Sequence, residues 1–135
     1  MSRYGFHEYV DRVFEATLAA ASYMELRRLP ELYCGFRRRP GAGATLYPVA
    51  CSPQAWASGA LFLMIQALLG IEFEPRAREI RFRNPRLPPV FNQLRLRQLS
   101  LNDATVDIEL QRVGNHVSMR VLRNIGEVQV SMIFS

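Results

Sequence analysis

Apolar side chains in the first 26 residues recur at steps of three and four. Phe6, Val10, Val13, Phe14, Thr17, Leu18, Ala21 and Met24 share one side, while Glu8, Asp11, Arg12 and Glu15 fall largely on the other. That spacing predicts an amphipathic helix from about Tyr4 to Leu26. Ala19, Ala20 and Ala21 would let a neighbouring helix approach closely. A second helix is predicted from Pro53 to about Leu69. Ser52 suits its N-cap, Pro53 its first turn, where a missing N–H costs nothing, and Gly70 the position just past its end. Nearly every residue of this helix is apolar, so it is expected to be covered all round.

Between the helices, residues 28–50 show no regular period. Pro30, Gly35, Pro40, Gly41, Gly43 and Pro48 punctuate a long loop. Structureless loops of this length are uncommon in compact domains and are usually functional or disordered. Leu29, Leu32, Tyr33, Phe36, Leu46, Tyr47 and Val49 argue that this one is ordered. After Gly70 the period changes to two: Ile80 and Phe82; Leu94, Leu96, Leu99 and Leu101; Val106, Ile108 and Leu110; Val117, Met119 and Val121; Val128, Val130, Met132 and Phe134. Turn signals at Asn84-Pro85, Asn102-Asp103, Gly114-Asn115 and Asn124 to Gly126 separate the runs, predicting an antiparallel meander of four or five strands. The opposite face carries Arg95, Arg97, Asp107, Glu109, Arg112, Arg120 and Gln129, a pattern that suits a solvated face with cross-strand ion pairs. The expected fold class is therefore α+β: a helical hairpin over residues 1–70, then an antiparallel, sandwich-like β domain over 71–135.

Composition narrows the function classes more than the fold. The chain has 135 residues, 49% of them apolar, enough for a buried core. Its formal charge is +5, and all 17 basic residues are arginine. They are spread over both halves without the aromatic interleaving of a stacking platform, so a nucleic-acid binder is the weakest reading. Cys34 and Cys51 make no disulfide framework or zinc site; reduced thiols are expected, although a bridge across the loop is geometrically possible. His7 and His116 are isolated, and no metal or cofactor is expected. The longest apolar run, Ala55 to Leu69, is interrupted by Ser58, Gly59 and Gln66 and is too short to span a membrane comfortably. The opening MSRYGFHEYV lacks the apolar core of a signal peptide, so a cytoplasmic location is expected. There is no phosphate-binding glycine loop, no serine nucleophile elbow and no Cys–His nucleophile motif.

Three strings stand out: RLPELYCGF from Arg28, RRRPGAGATLYPVACSPQAWASGALFLMIQALLGI from Arg37, and IRFRNPRLPP from Ile80. Together they resemble the C-terminal end of bacterial amylo-alpha-1,6-glucosidases, the glycogen-debranching type of six-hairpin glycosidase. The resemblance runs over nearly the whole chain and is strongest from Arg28 to Gly70. It implies that residues 1–70 are the last hairpin of an (α/α)6 toroid and 71–135 its β tail. A complete member of that family is several times longer, so most of the sugar pocket and the other catalytic acid would lie outside this chain.

The resemblance implies that Glu31 is a catalytic carboxylate, the general base. Glycoside hydrolysis commonly needs two carboxyl groups, one to protonate the leaving oxygen and one to activate water or attack the sugar. Pro30 fixes the backbone before Glu31, Gly35 lets the chain turn after it, and Leu32, Tyr33 and Phe36 would keep water away. The plainer reading of the same residues pairs Glu31 with Arg27, Arg28 or Arg37 to tie the loop down. Gln54 is a candidate to hydrogen-bond sugar hydroxyls, and Tyr47 and Trp56 to offer aromatic faces, as sugar sites do. Trp56 reads equally well as core. Arg37, Arg38 and Arg39 read as a solvated loop or as a contact for an anionic or glucan partner. The expected partner is an α-glucan or oligosaccharide, with the isolated chain inactive. The alternative is a non-catalytic module that docks on a partner chain, or on itself, through its helices.

Overall fold

The computed structural model describes residues 5–134. The chain divides into two compact units, Met1–Ile65 and Gln66–Ser135. The first contains α1 (His7–Ala21), a short 3-10 turn (Glu25–Arg27) and most of α2 (Ala55–Leu69); the second contains β1 (Ile71–Glu74), β2 (Glu79–Arg83), β3 (Gln93–Leu101), β4 (Ala104–Val113), β5 (His116–Ile125) and β6 (Gln129–Ile133).

These elements overturn the expected fold class. The described residues are mostly β, with two helices and two three-stranded sheets, and the two helices are not the closing hairpin of a helical toroid. The predicted first helix is shorter at its C-terminal end, and its proposed start at Tyr4 lies outside the described residues. It stops at Ala21 because the chain turns there: the Ser22 hydroxyl donates to the Ala19 carbonyl, the Arg27 guanidinium donates to the Ser22 carbonyl, and Leu26 and Arg27 adopt positive φ. The side chains buried in α1 are Phe14 and Ala21, while Phe6 and Val13 on the same predicted face are exposed.

α2 is not covered all round. Ala57, Leu61 and Leu68 lie along one edge, where Ala57 and Leu68 are buried, and Ala57 packs in a cluster with Ala21, Leu29, Tyr33 and Leu61. Trp56, Phe62 and Leu63 lie on the exposed arc, 66%, 76% and 67% accessible. The helix also starts later than Ser52-Pro53 suggests. Gln54 accepts the first helical hydrogen bond, from Ser58 N at 2.9 Å, and Ser52-Pro53 is a cis peptide just ahead of it. The stop at Gly70 is as the sequence predicts: Gly70 has φ +57, and a Cβ there would lie 2.0 Å from the Arg83 carbonyl oxygen. Arg83 N in turn donates to Gly70 O at 2.9 Å, and Arg86 N to Leu68 O at 3.0 Å, stitching the end of α2 to the end of β2.

The meander is present as β3-β4-β5, all antiparallel. The other sheet, in order β1-β2-β6, departs from it: β2 and β6 run parallel, with Ile80 opposite Val130 and Phe82 opposite Met132. Parallel neighbours need a long crossover, and here the entire β3-β4-β5 meander fills that role. β1 was missed because Ile71–Glu74 offers a single alternation, too little for a period to show. Ile80 and Phe82 in β2, and Val106, Ile108 and Leu110 in β4, are fully buried, as their alternation predicts.

The polar face of β3-β4-β5 is not simply solvated. Glu109, 5% exposed, sits between Arg95 and Arg120 on the flanking strands, with Arg95 Nε at 2.6 Å from one carboxylate oxygen and Arg120 Nη2 at 2.8 Å from the other. Register places Arg95, Glu109 and Arg120 directly opposite one another. A bulge between Leu96 and Leu99 is held by Asp107, whose Oδ1 accepts from Gln98 N at 2.7 Å. Arg112 is also structural, since its Nη2 donates to the carbonyls of Leu87, Pro88 and Phe91 and anchors the loop before β3.

The hydrogen bond from Arg95 holds the Glu109 carboxyl below its ordinary value of 4.5 against the opposing effect of burial, and Arg120 adds to it. A carboxylate lowered on folding stabilises the fold above its unfolded value, and that contribution is lost as pH falls through the folded one. Glu109→Gln is therefore expected to lower the urea midpoint clearly at pH 7, with the gap from the parent chain narrowing as pH drops below about 4.5. A gap that is constant from pH 7 to pH 3 would show that the ion triad contributes nothing through its charge.

Candidate functional site

The predicted site lies where the long loop closes on itself. Leu29 is buried in the cluster with Ala21 and Ala57, which fixes one end of the loop. Gln54, at the start of α2, fixes the other. Backbone rungs then zip the two sides together. Gln54 N donates to Leu29 O at 3.0 Å, Glu31 N to Cys51 O at 2.8 Å, and Cys34 N to Thr45 O at 2.8 Å, while Tyr33 and Leu46 form an antiparallel bridge. The Ser58 hydroxyl adds a longer contact, 3.4 Å, to the Leu29 carbonyl. The segment read as an irregular loop is thus pinned across by these contacts, with one turn at residues 47–50, where Ala50 N donates to Tyr47 O, and another at the tip, where Ala42 N donates to Arg39 O.

Glu31 sits on the second rung and is used twice. Its own N–H goes to Cys51 O, and its Oε2 accepts from Cys51 N at 3.2 Å. Its Oε1 has no partner among the described residues, and among them Glu31 makes no ion pair. The arginine-pairing alternative thus finds no support: Arg27 donates to the Ser22 carbonyl instead. The apolar shield expected around Glu31 is incomplete as well. Leu32 and Phe36 are exposed, and only Tyr33 turns inward, where burial pushes its phenol above the ordinary tyrosine value. The Tyr33 hydroxyl is buried without a partner among the described residues.

The other predicted residues divide. Gln54 lies on the rung next to Glu31, its backbone engaged on both sides and its side chain half-buried. Trp56 is two residues further on and exposed, so the reading of Trp56 as core is not what the fold contains. Tyr47 is 47% exposed and begins the turn that leads back to Cys51, with Ala50 N donating to its carbonyl. Among the described residues neither aromatic hydrogen-bonds to Glu31. The hydrogen bonds therefore join Glu31 to Cys51, place Gln54 on the adjacent rung through Leu29, and leave Tyr47 and Trp56 as exposed rings on the flanking segments. Sequence reasoning missed the Cys51 amide as the partner of Glu31, because a backbone donor has no residue-type signature.

Chemically, this arrangement offers one carboxylate with one oxygen anchored and one free. It can accept a proton or orient a water, but it cannot supply both groups of a glycosidic hydrolysis. Among the described residues no group of three or more His, Cys, Asp or Glu side chains is placed to hold a metal ion, and Cys34 and Cys51 are free thiols. No helix among them is long and apolar enough to cross a membrane. No protein-family model, curated protein or solved structure matches this chain.

The two roles of the Glu31 side chain can be separated by substitution. Glu31→Ala removes the acceptor for Cys51 N and is expected to cost about 1 kcal/mol, the usual net worth of such a bond. Glu31→Gln keeps an acceptor oxygen and is expected to stay within about 0.5 kcal/mol of the parent. Urea denaturation of the three chains checks both figures.

Proposed function

We propose that this chain contributes one carboxylate, Glu31, to a glycoside hydrolase site of the amylo-alpha-1,6-glucosidase type, acting on α-glucosidic bonds. The second carboxyl group and most of the sugar pocket would come from polypeptide outside these 135 residues. The observation that carries the reading is the state of Glu31: fixed by backbone and side chain at the neck of a zipped loop, free of any arginine among the described residues, with Oε1 unengaged. Asp107 shows that this chain also holds a carboxylate on a backbone N–H for structure alone, so the reading rests on the unengaged Oε1 of Glu31 rather than on the lack of an arginine partner.

In this reading Glu31 is the general base. Cys51 N orients the carboxylate through Oε2, and Oε1 accepts the proton of a water attacking the anomeric carbon, while the partner acid protonates the leaving oxygen. The Gln54 amide reaches sugar hydroxyls beside it, and the exposed rings of Tyr47 and Trp56 supply apolar faces for the sugar. The substrate is an α-glucan or oligosaccharide.

A second reading is favoured by one specific observation, the exposed arc of α2. Trp56, Phe62 and Leu63 form an apolar surface of the kind that marks interaction sites. In that case the chain is a non-catalytic module that docks through α2, on a partner chain or a second copy, and Glu31 is only a strut.

Hydrolysis separates the two. The isolated chain is expected to release no glucose from branched or linear α-glucans. When it is combined with the polypeptide that completes the site, Glu31→Gln should lower turnover by about 100-fold or more, the scale of a lost general base, with an unchanged melting temperature. Normal turnover of Glu31→Gln in an active assembly would overturn the catalytic reading. The docking reading predicts instead that Trp56→Ser with Leu63→Ser abolishes association in light scattering while Glu31→Gln has no effect.

A further inference from the structure

A groove in the first unit, on residues other than those of the proposed carboxylate site, has the chemistry of an anion pocket. It lies between the second half of α1 and the tip of the loop, with a volume of about 260 Å³. Arg37, Arg38 and Arg39 line one wall, and Ala19, Ala20, Tyr23 and Phe36 contribute to an apolar floor and side. No aspartate or glutamate lines it. Among the described residues, none of the three guanidinium groups has a hydrogen bond or an ion pair. Elsewhere in the chain arginines are used: Arg78, Arg81, Arg83, Arg95 and Arg120 all meet carboxylates. Three adjacent cations on one groove wall repel one another and lack a protein counter-charge, so the groove favours an anion.

The groove is also held in shape. Gly43 lies against Tyr23 so closely that a Cβ there would come within 2.8 Å of the tyrosine Cβ and Cγ. The bond from Cys34 N to Thr45 O closes the tip at its base, and Ala42 N to Arg39 O turns it directly after the arginines. The cations are thus carried on a ribbon seated against α1.

We propose that this groove binds a small organic phosphate, a phosphate monoester whose phosphate meets Arg37, Arg38 and Arg39 and whose organic part lies on Tyr23, Phe36 and the alanines of α1. A phosphate dianion presents three terminal oxygens to planar donor forks, a match that guanidinium groups make better than ammonium groups. A single carboxylate leaves most of those donors unused. The apolar floor separates the organic ester from the free ion, and the small volume selects a small molecule over a polymer.

Nuclear magnetic resonance of the ¹⁵N-labelled 135-residue chain reads the site directly. Phenyl phosphate is expected to give saturable shifts in the amides of residues 36–45 and the second half of α1. Inorganic phosphate should move the same amides at least about tenfold more weakly, and phenol should move none of them. Binding should weaken steeply at about 0.5 M NaCl, where charges are screened within a few ångströms. The triple substitution R37Q, R38Q, R39Q should weaken phenyl phosphate at least about tenfold with an unchanged far-ultraviolet spectrum. The parent titration stands by itself should that variant not fold. No saturation below about 10 mM (roughly the weakest binding this many charged contacts should give), or shifts scattered over Arg97, Arg123 and the other exposed arginines, would overturn the assignment. Inorganic phosphate binding as tightly as the ester would overturn its organic part.

Discussion

Everything proposed for the first unit depends on two backbone rungs, Leu29 to Gln54 and Glu31 to Cys51. A segment of more than twenty residues carrying six glycines and prolines would otherwise be an expensive piece of chain to order, since each fixed residue costs on the order of 1 kcal/mol in backbone entropy. The rungs offset this by turning one long closure into several short ones. Burial of Leu29 against Ala21 and Ala57 sets the register at the base. From there Glu31 meets Cys51, Tyr33 meets Leu46, and the arginines reach the tip. The carboxylate and the cationic groove are consequences of one zipper, at its neck and at its end.

The second unit rests on a different constraint. Glu109 is removed from water with a charge on it, which is tolerable only because both oxygens meet guanidinium groups from the neighbouring strands. The three residues stand opposite one another only in this register, and a slip by one would send Glu109 to the other face. The triad therefore adds specificity to a meander whose register shifts at Leu96/Leu99 and Asp107/Ile108. Glu79 has a lesser version of this role in the other sheet. Ser131 on β6 donates to it and Arg81 pairs with it, and together they hold its carboxyl below the ordinary range.

The β half was largely legible because period-two burial is a local signal: Ile80, Phe82, Val106, Ile108 and Leu110 all point where their alternation says. Gly70 was legible for a local reason as well, a positive φ just past a helix. The parallel pairing of β2 with β6 was not, because nothing in either strand records which partner lies beside it. The helical toroid was expected on resemblance, and helical periodicity cannot distinguish a closing hairpin from two helices separated by a zipped ribbon. At the site, Glu31 and Gln54 were legible as residue types, whereas the bond from the Cys51 amide and the seat of Tyr23 on Gly43 depend on backbone placement alone.

If Glu31 is the proposed base, its anchored oxygen and its free oxygen have different tasks, because a carboxylate has two oxygens. A base that rotates freely spends most of its time aimed elsewhere, and positioning is worth a large share of any catalytic gain. Anchoring Oε2 on the Cys51 amide and Glu31 N on the Cys51 carbonyl restricts both the side chain and its backbone without neutralising the charge, as an arginine partner would. A backbone N–H is a weaker partner than a guanidinium, and it leaves Oε1 available. Asp107 holds its bulge through a backbone N–H in the same way, so an uncharged donor suits either role, and the unengaged Oε1 is the one feature that the catalytic reading uses and the structural reading does not.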